Sequence, residues 1–462
     1  SIAAAAGIEF SKRYSKDSFK VIPIIGDGAL TGGMSWEALN NLSPESDRNL
    51  VIVVNDNERS YSPTIGGLAT YLTTLRASKE YERILGRGKR MLHNTPVVGK
   101  YIYGTLHGLK KGIKDMVAPQ GMFEDLGFKY LGPIDGHDIA AMEKTLQMAK
   151  EFGAPVIVHA ITEKGRGYTP AIEDMAEKFH AVGIVDPVTG KPLKASAPSW
   201  TNTFSDEITA IGRENSKVVA ITAAMLGPTG LDKFAQNFPE RTIDVGIAEQ
   251  HAVTSAAGLA YAGMHPVIAI YSTFLQRAYD HIVHDCAIQH LPVIFCMDRA
   301  GIAGEDGPTH HGALDIAYLR CIQDLIVTAP KNGNEFRSLL YTALNITDKP
   351  FTIRYPKTSS VEFNEQGQSE LLPVGSWETC QKGTDVVILA VGPMVDTSIE
   401  ASNRLKQKNI SCDIIRYRFI KPMDLSILES VKNRFNKIIT IEEGVIVSRK
   451  TTLNSKTVEV CF

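Results

Sequence analysis

Two stretches decide the fold: Val21–Ile25 with Gly26-Asp27-Gly28-Ala29 after it, and Leu50–Val54 with Asn55-Asp56-Asn57 after it. Each begins with a short apolar run that is typical of a buried strand, and a helical pattern, Met34–Asn40, lies between them. A glycine-flanked carboxylate at a strand end suits a metal-bound phosphate, because backbone N–H groups and a helix dipole bind the anion. Asp27 and the amide oxygen of Asn57 could then bind Mg²⁺ from neighbouring loops. A tight turn with a capping aspartate is the alternative.

The composition is that of a globular protein with more than one domain. The chain has 462 residues, of which 44% are hydrophobic and 22% charged. Its formal net charge of −2 gives no reason to expect nucleic acid or a membrane as partner, and no apolar run reaches membrane-spanning length. The six cysteines are scattered without a C-x-x-C pair, which favours reduced thiols over a disulfide scaffold or zinc site.

Strand-like apolar runs alternate with helical patterns along most of the chain. This rhythm predicts an α/β fold with mostly parallel sheets covered by helices. Ligands in such sheets usually lie beyond the carboxyl ends of the strands. Besides the two opening runs, the predicted strands are Val156–Ile161, Val218–Thr222, Thr242–Val245, Val267–Tyr271, Val293–Met297, Phe351–Arg354, Val386–Val391 and Lys437–Ile441.

Two stretches without apolar periodicity divide the chain into three α/β domains. Residues 186–198 are rich in Pro, Gly, Ser and Thr, and residues 357–375 are polar, so both are predicted linkers. The predicted domains cover residues 1–190, 198–357 and 376–462. The chain starts abruptly in a helical pattern without Met, so we expect the first domain to lack an N-terminal segment.

Residues 76–114 carry far more Lys and Arg than acidic residues within a largely helical pattern. A solvated helical face is favoured over a nucleic-acid patch, because the interleaved tyrosines form no RNA-binding signature. A segment that raises the local concentration of anionic substrates is a third alternative.

The predicted middle domain contains the segment Asp244-Val245-Gly246-Ile247-Ala248-Glu249-Gln250. A strand is predicted to end at Val245 and a helix to start near Ala248, which puts Glu249 in a first helical turn. A glutamate there can simply complement the helix dipole. A functional carboxylate is the alternative, and this segment alone does not decide between them.

Several longer motifs make the sequence more specific. They are Asp135-Gly136-His137, Lys164–Tyr168, Tyr271–Asp280, Asp298–Gly301, Glu305–Gly312, Arg354-Tyr355-Pro356 and Phe419–Asp424. With the two opening stretches, they resemble the 1-deoxy-D-xylulose-5-phosphate synthase family over most of residues 1 to about 445. This family contains thiamine-diphosphate enzymes of the transketolase-like group, and the chain looks most like its actinobacterial branch.

The resemblance implies an enzyme that joins pyruvate to D-glyceraldehyde 3-phosphate, releases CO2 and forms 1-deoxy-D-xylulose 5-phosphate. This product feeds the methylerythritol phosphate route to isoprenoids, as well as thiamine and pyridoxal biosynthesis. Thiamine diphosphate and Mg²⁺ are the implied cofactors, with the former between the first two domains of one chain. A homodimer in the bacterial cytoplasm is also implied. Because the cofactor carries the carbanion chemistry, the protein must position, ionise and shield it.

The resemblance also assigns cofactor contacts. Glu249 matches the glutamate that hydrogen-bonds the aminopyrimidine ring, a general acid–base role. Phe274 matches an aromatic residue stacked on that ring and Tyr168 one that lines the site, although core packing is an equal alternative for both. Ligands of Mg²⁺ are matched by Asp27, Asn57 and the backbone carbonyl of Arg59. Contacts to the diphosphate are matched by Gly28 and Ala29.

The implied substrate contacts are mostly charged. Arg299 and Arg354 match arginines that bind the phosphate of the aldehyde, a role for which guanidinium groups are well suited. His310 and His180 match histidines near the reacting carbons. Further substrate-site positions are matched by Tyr271, Arg277 and Asp306. The implied role of Asp306 is to orient its neighbours.

Two features depart from the family pattern. Its upstream Gly-His-Gln and Gly-His-Ser motifs are absent, and residues 448–462 do not resemble its glycine-rich continuation. A catalytically inactive scaffold or binding subunit therefore stays as an alternative. Transketolase and the E1 component of a 2-oxo-acid dehydrogenase are alternative enzymes, because they share the cofactor motif. His281, His284 and Asp285 have a zinc-like spacing, but packing is preferred because no further ligands accompany them.

Overall fold

The computed structural model of the chain describes residues 2–15, 19–42, 50–77, 121–193, 198–359, 363–364 and 367–445. The chain separates into two compact units. The first comprises Ser1–Pro192 with Gly246–Ala248, and the second comprises Leu193–Val245 with Glu249–Phe462.

The first unit contains a parallel four-stranded sheet of order β1-β2-β4-β3. Its strands are β1 Ile24–Gly26, β2 Val51–Asp56, β3 Lys129–Asp135 and β4 Val156–Ile161. The helices of this unit are Ile2–Ser15, Asp27–Leu30, Gly33–Asn41, Gly67–Ala77, Gly121–Asp125, Ile139–Glu151 and Thr169–Glu173.

Strand β2 is covered on both faces, as expected for a central parallel strand. Ile52 and Val54 belong to one apolar core, with residues of the helix Gly33–Asn41. Val51 and Val53 belong to another core. Successive side chains of a strand point to opposite faces, so one apolar run supplies both cores and holds the end of β2 in a fixed place.

Strand β1 is shorter and more exposed than the predicted buried run Val21–Ile25. Pro23 has no N–H to donate to a neighbouring strand, and Ile24 is 71% exposed at the sheet edge. The preceding chain still runs beside β2, since the Val53 N–H donates to the Pro23 carbonyl at 2.9 Å. The strand ends one residue later than predicted and pairs Gly26 with Asn55.

The second unit contains two sheets. The larger has seven strands in the order β14-β9-β10-β8-β7-β5-β6, with β14 antiparallel to β9 and the other pairs parallel. The smaller has the order β11-β13-β12-β15, with only the β11–β13 pair antiparallel. The strands are β5 Val218–Thr222, β6 Thr242–Asp244, β7 His265–Tyr271, β8 Ile294–Asp298, β9 Ile326–Thr328, β10 Phe351–Arg354, β11 Glu378–Gln381, β12 Val386–Ala390, β13 Cys412–Arg416, β14 Phe419–Lys421 and β15 Ile438–Ile441.

Helices of several types connect these strands. The α-helices are Trp200–Glu214, Asp232–Asn237, Glu249–Tyr261, Ser272–Leu275, Tyr279–His281, Asp315–Arg320, Gly333–Leu344, Met394–Lys406 and Leu425–Arg434. A π-helix covers Ile282–Ala287, and 3₁₀ turns cover Pro239–Arg241, Gln276–Ala278, Gly304–Asp306 and Pro308–His310.

The predicted α/β fold with mostly parallel sheets is confirmed. Within the ranges given above, no helix is long and apolar enough to cross a membrane. Residues 78–114 of the basic stretch and residues 448–462 lie outside the described part of the chain. The boundaries of the three domains stay a prediction.

An aromatic cluster forms the centre of the larger sheet's core, and Phe336 is a member. Its ring is completely buried and lies 6.2 Å from the ring of Phe204 and 5.1 Å from that of Tyr355. Phe336→Ala should lower the free energy of unfolding by about 3–5 kcal/mol, because it removes apolar burial and leaves a cavity. Urea unfolding followed by fluorescence will measure the loss.

Tyr261→Ala is the matched control for this prediction, since Tyr261 lies in the same unit but is 82% exposed. It should change the free energy of unfolding by less than about 0.5 kcal/mol. An equal loss in both variants would contradict the assignment of Phe336 to the core.

Candidate active site

The carboxyl ends of β1 and β2 bring Asp27 and Asn57 together. The Asp27 side chain is 2% exposed. Its Oδ1 accepts the backbone N–H of Asn57 at 3.4 Å, and its Oδ2 accepts the Thr64 hydroxyl at 2.5 Å. We call Asp27, Asn57 and Thr64 the Asp27 cluster. It offers carboxylate and amide oxygens, which are ligands that Mg²⁺ prefers, so the residues present fit that ion.

Arg59 belongs to the loop that follows Asn57. Its backbone N–H donates to the Asn57 side-chain oxygen at 3.3 Å. Its guanidinium donates to the carbonyls of Tyr61, at 3.0 Å, and of Ala176. Side chain and backbone of Arg59 therefore fix the loop that carries two of the predicted metal ligands.

Lys164 joins the same loop to His180. Its Nζ lies 2.7 Å from the Ser60 carbonyl oxygen and 2.6 Å from His180 Nδ1. The exposed His180 ring also lies 4.0 Å from the ring of Tyr61. Burial, with the nearby charge of Arg59, lowers the pKa of Lys164 to about 8. Lys164 is a functional candidate that the sequence analysis does not single out, although it lies in a quoted motif.

Gly28 and Ala29 lie in the short helix Asp27–Leu30. Their carbonyls accept the backbone N–H groups of Thr31 and Gly32 at 3.2 and 3.3 Å. N–H groups in a first helical turn have no acceptor within the helix, so those of Gly28 and Ala29 suit an anion. Tyr168 packs its ring edge-on against Phe179 at 5.8 Å, which leaves both of its predicted roles open.

A buried polar network lies next to the Asp27 cluster. We call Asp56, Arg76, His159 and Tyr130 the Asp56 network. His159 Nε2 is 2.8 Å from Asp56 Oδ2, and His159 Nδ1 is 2.6 Å from the Tyr130 hydroxyl. Burial alone would raise the pKa of Asp56, but hydrogen bonds from His159 and Arg76 and the Arg76 charge outweigh it and lower that pKa. No local sequence pattern predicts this network.

In the second unit, Glu249 is the first residue of the helix Glu249–Tyr261, as predicted. Its side chain is 3% exposed, and Arg277 Nη1 donates to its Oε2 at 3.2 Å. Burial raises the pKa of Glu249 despite the opposing charge of Arg277. Arg277 is half-exposed. The pair is a buried carboxyl group that can gain or hold a proton, beside a cation in contact with solvent.

Three rings gather at the carboxyl end of β7. The Phe274 ring stacks on that of Tyr271 with centroids 5.7 Å apart and 12° between the planes. His310 meets the Phe274 ring edge-on at 5.3 Å. Phe274 and His310 are only partly buried. The structure therefore brings these three predicted residues together, with the rings of Phe274 and His310 partly accessible and that of Tyr271 buried.

Arg299 lies against this aromatic group. Its guanidinium carbon is 3.9 Å from the centre of the Tyr271 ring, and its Nη1 is 3.1 Å from Asp298 Oδ2. Its Nε is 3.7 Å from Asp306 Oδ2 and has no hydrogen-bond partner among the described residues. Asp306 is also 2.7 Å from Lys357 Nζ. Arg299 thus has one buried donor without a hydrogen-bond partner among the described residues.

Arg354 is more deeply buried than Arg299 and has different partners. Its side chain is 4% exposed, with Nε 2.9 Å from Asp315 Oδ2 and Nη2 3.0 Å from the Glu443 carbonyl. Asp315 also accepts the Ser272 hydroxyl at 3.0 Å. Arg354 therefore neutralises a buried carboxylate and joins distant parts of the second unit, in addition to any contact with substrate.

The partners of Arg354 are not predicted from the sequence. Asp315 is 39 residues from Arg354 along the chain, and Glu443 is 89 residues away. Residues so far apart along the chain are not related by the periodicity of one helix or strand, so no local pattern marks them as a pair. For Asp298 there is a usable signal, because it ends an otherwise apolar strand and must be neutralised or paired there.

The segment with zinc-like spacing makes local contacts. His284 Nδ1 is 2.8 Å from Asp285 Oδ1, and the Thr254 hydroxyl donates to Asp285 Oδ2 at 2.5 Å. Among the residues that the structure describes, no group of three or more His, Cys, Asp or Glu side chains could hold a metal ion. The oxygens of the Asp27 cluster are a different donor set, with a single carboxylate.

Three family models match the chain in order. Residues 1–162 match the model described as 1-deoxy-D-xylulose-5-phosphate synthase. Residues 196–361 match the pyrimidine-binding domain of transketolase, and residues 375–456 match the transketolase C-terminal domain. Asp27 and Asn57 fall within the first match, and Glu249 falls within the second.

Relatives are similar over nearly the whole chain. The 1-deoxy-D-xylulose-5-phosphate synthase of Streptomyces griseus subsp. griseus is 50% identical over 441 residues, covering 95% of this chain and 69% of that protein. The 1-deoxy-D-xylulose-5-phosphate synthase 2 of Streptomyces avermitilis is 50% identical over 444 residues, covering 95% of this chain and 68% of that protein. The predicted likeness to actinobacterial sequences is confirmed.

A solved structure is similar to part of the chain. It is described as a split gene transketolase, an inactive β4 tetramer, and matches with a TM-score of 0.51 at 26% identity. The match covers 58% of this chain and 90% of that one. From the family model over its first 162 residues and half-identical relatives over 95% of its length, we conclude that the chain belongs to the 1-deoxy-D-xylulose-5-phosphate synthase family.

Proposed function

We propose that this chain is a thiamine-diphosphate-dependent transferase that condenses pyruvate with D-glyceraldehyde 3-phosphate. The products are 1-deoxy-D-xylulose 5-phosphate and CO2, and the former supplies isoprenoid, thiamine and pyridoxal biosynthesis. The observation that carries the proposal is the buried carboxyl of Glu249, with its raised pKa, at a helix start in the pyrimidine-binding match. When bound, thiamine diphosphate supplies the carbanion chemistry.

We assign the metal and diphosphate contacts to the first unit. The Asp27 carboxylate, the Asn57 amide oxygen and the Arg59 backbone carbonyl would bind Mg²⁺, and the Gly28 and Ala29 N–H groups the diphosphate. The Asn57 backbone N–H donates to the Asp27 carboxylate at 3.4 Å. This contact supports the assignment, because it brings the two residues together at the carboxyl ends of β1 and β2.

We assign the aminopyrimidine contacts to Glu249 and Phe274. A buried carboxyl with a raised pKa can share a hydrogen-bonded proton with a ring nitrogen. The partly exposed Phe274 ring, backed by Tyr271 at 5.7 Å, offers a flat apolar surface for a heterocycle. Tyr168 is proposed to line the same cofactor site.

We assign the substrate phosphate chiefly to Arg299, whose Nε has no hydrogen-bond partner within the described residues. Arg354 would contribute from a buried position, and Asp306 would orient Arg299. His310 and His180 are proposed to act as acid or base near the reacting carbonyls. Further contacts with substrate are proposed for Tyr271 and Arg277.

We also propose that the protein is a cytoplasmic homodimer in a bacterium. Support comes from family membership and from the free cysteines Cys286, Cys296, Cys321, Cys380 and Cys412, which suit a reducing compartment. Sedimentation velocity of the full chain tests the dimer, and a species with the mass of one chain at all concentrations would contradict it.

Glu249→Ala should abolish product formation, because no other group replaces its carboxyl at the aminopyrimidine. Chromatography of reactions that contain pyruvate, D-glyceraldehyde 3-phosphate, thiamine diphosphate and Mg²⁺ measures 1-deoxy-D-xylulose 5-phosphate. Glu240→Ala is the control, since the Glu240 side chain is 70% exposed in the same unit, and it should keep parental activity. Near-parental activity of Glu249→Ala would refute the assigned role. Absence of product from the parent protein would refute the proposed function.

Glu249→Gln should raise the free energy of unfolding near neutral pH. Burial raises the folded-state pKa of Glu249 above its ordinary value of 4.5, so the ionised form is less favourable in the folded chain than in the unfolded one. This penalty is present above the folded-state pKa and is lost as the pH falls to the unfolded value. The gain from Gln, measured by urea unfolding at a series of pH values, should therefore shrink as the pH falls toward the ordinary value of 4.5. A gain that does not vary with pH would contradict this cause.

Arg299→Met should raise the KM for D-glyceraldehyde 3-phosphate about 10- to 100-fold, the usual cost of one hydrogen bond to a charged group. The KM for pyruvate should change little. D-glyceraldehyde without the phosphate is the decisive comparison, because parent and variant should use it equally. Arg404→Met, at a site that is 77% exposed, is the control. An unchanged KM for the phosphorylated aldehyde would remove Arg299 from the phosphate site.

A further inference from the structure

The Asp56 network crosses three neighbouring strands of the first unit. Tyr130 lies on β3, His159 on β4, and Asp56 ends β2. The side chains of Asp56 and His159 are 0% and 1% exposed. If His159 donates from Nε2 to the Asp56 carboxylate, its Nδ1 accepts the Tyr130 hydroxyl. Both ring nitrogens are then satisfied with a neutral imidazole.

The network ends at the loop that carries the predicted metal ligands. Asp56 Oδ1 accepts the backbone N–H of Glu58 at 3.4 Å. Asp27 Oδ1 accepts the backbone N–H of Asn57, also at 3.4 Å. Two buried carboxylates from neighbouring strands thus bind consecutive amides of one loop. The direction of the Asp56 carboxylate therefore affects where Asn57 lies.

Arg76 also holds the start of that loop. It lies in the last turn of the helix Gly67–Ala77, and its Nε donates to Asp56 Oδ2 at 2.9 Å. It also pairs with Glu58, a residue with a φ of 67°. A left-handed conformation is unfavourable for a glutamate, so the loop needs partners to keep it. Arg76 supplies one at the residue next to Asn57.

We propose that the Asp56 network is a positioning device for the Mg²⁺ site at Asp27 and Asn57. Tyr130 and His159 fix the rotation of the Asp56 carboxylate, and Asp56 with Arg76 fixes the loop. None of these side chains need contact the ion or the substrate. The inference rests on the proposed function, because it assumes that Asp27 and Asn57 bind a metal with thiamine diphosphate.

Tyr130→Phe and His159→Gln test the inference with little risk to folding. Tyr130→Phe removes the hydroxyl but keeps the ring, which stacks on Phe123 at 5.9 Å and 6°. His159→Gln keeps a donor for Asp56, whereas His159→Leu removes it. Tyr71→Phe is the control, because Tyr71 packs on the same Phe123 at 5.9 Å. Tyr71 does not bind His159, whose two ring nitrogens contact Tyr130 and Asp56.

Calorimetric titration of the full chain with thiamine diphosphate at graded Mg²⁺ concentrations gives the readout. His159→Leu should raise the Mg²⁺ concentration for half-maximal cofactor binding about 10- to 100-fold, the range for loss of a residue behind a metal ligand. Tyr130→Phe should shift it in the same direction by less, and His159→Gln should restore most of the loss. Tyr71→Phe should match the parent. At saturating Mg²⁺ all variants should bind the cofactor as the parent does.

Parental Mg²⁺ dependence in both Tyr130→Phe and His159→Leu would overturn the inference. A weaker affinity that saturating Mg²⁺ does not restore would also overturn it, since it would indicate general damage to the unit. Failure of the parent itself to bind thiamine diphosphate with Mg²⁺ would instead overturn the proposed function. The two failures are therefore distinguishable in one set of titrations.

Discussion

A carboxylate that is buried at the end of a parallel strand must receive hydrogen-bond donors, because an unpaired buried charge is very costly. In this chain Asp27, Asp56 and Asp298 occupy such positions, with 2%, 0% and 0% exposure. Their donors come from other elements: the Thr64 hydroxyl, the side chains of Arg76 and His159, and the side chains of Thr201 and Arg299. Each pairing ties the end of a strand to another part of the same unit. The requirement to neutralise buried carboxylates therefore positions the loops that carry the proposed site.

The same requirement explains why two arginines with similar sequence context have different surroundings. Arg354 is enclosed by Asp315 and the Glu443 carbonyl, so most of its charge serves the fold. Arg299 shares Asp298 with Thr201 but lies on the Tyr271 ring, and its Nε has no hydrogen-bond partner in the described part of the chain. A guanidinium on an aromatic face is partly desolvated yet still able to donate. The groups around each guanidinium, and not the residue type, therefore distinguish these two arginines.

Long apolar runs made most of the fold predictable, and Val156–Ile161, Val218–Thr222 and Phe351–Arg354 have the observed bounds. Five strands, β3, β9, β11, β13 and β14, are absent from the predicted runs, and two of them show a physical reason. Lys129–Asp135 contains Gly132-Pro133, where its register with β4 shifts, and Cys412–Arg416 contains Asp413, whose charge Arg434 neutralises at 2.6 Å. The ends of predicted strands likewise locate Asp27, Asn57 and Glu249. The partner of Asp56, His159, is 103 residues away, so no local pattern could indicate it.

The polar character of the Asp56 network needs a reason other than stability. Buried ion pairs contribute little net stability, and well-packed apolar residues of similar volume often replace them without loss. Apolar contacts are nearly non-directional, whereas hydrogen bonds at 2.6–2.9 Å fix both the distance and the rotation of a carboxylate. β2 is already held by two apolar cores. What those cores cannot fix is the direction of the first groups beyond the strand end, and that is where Asn57 lies.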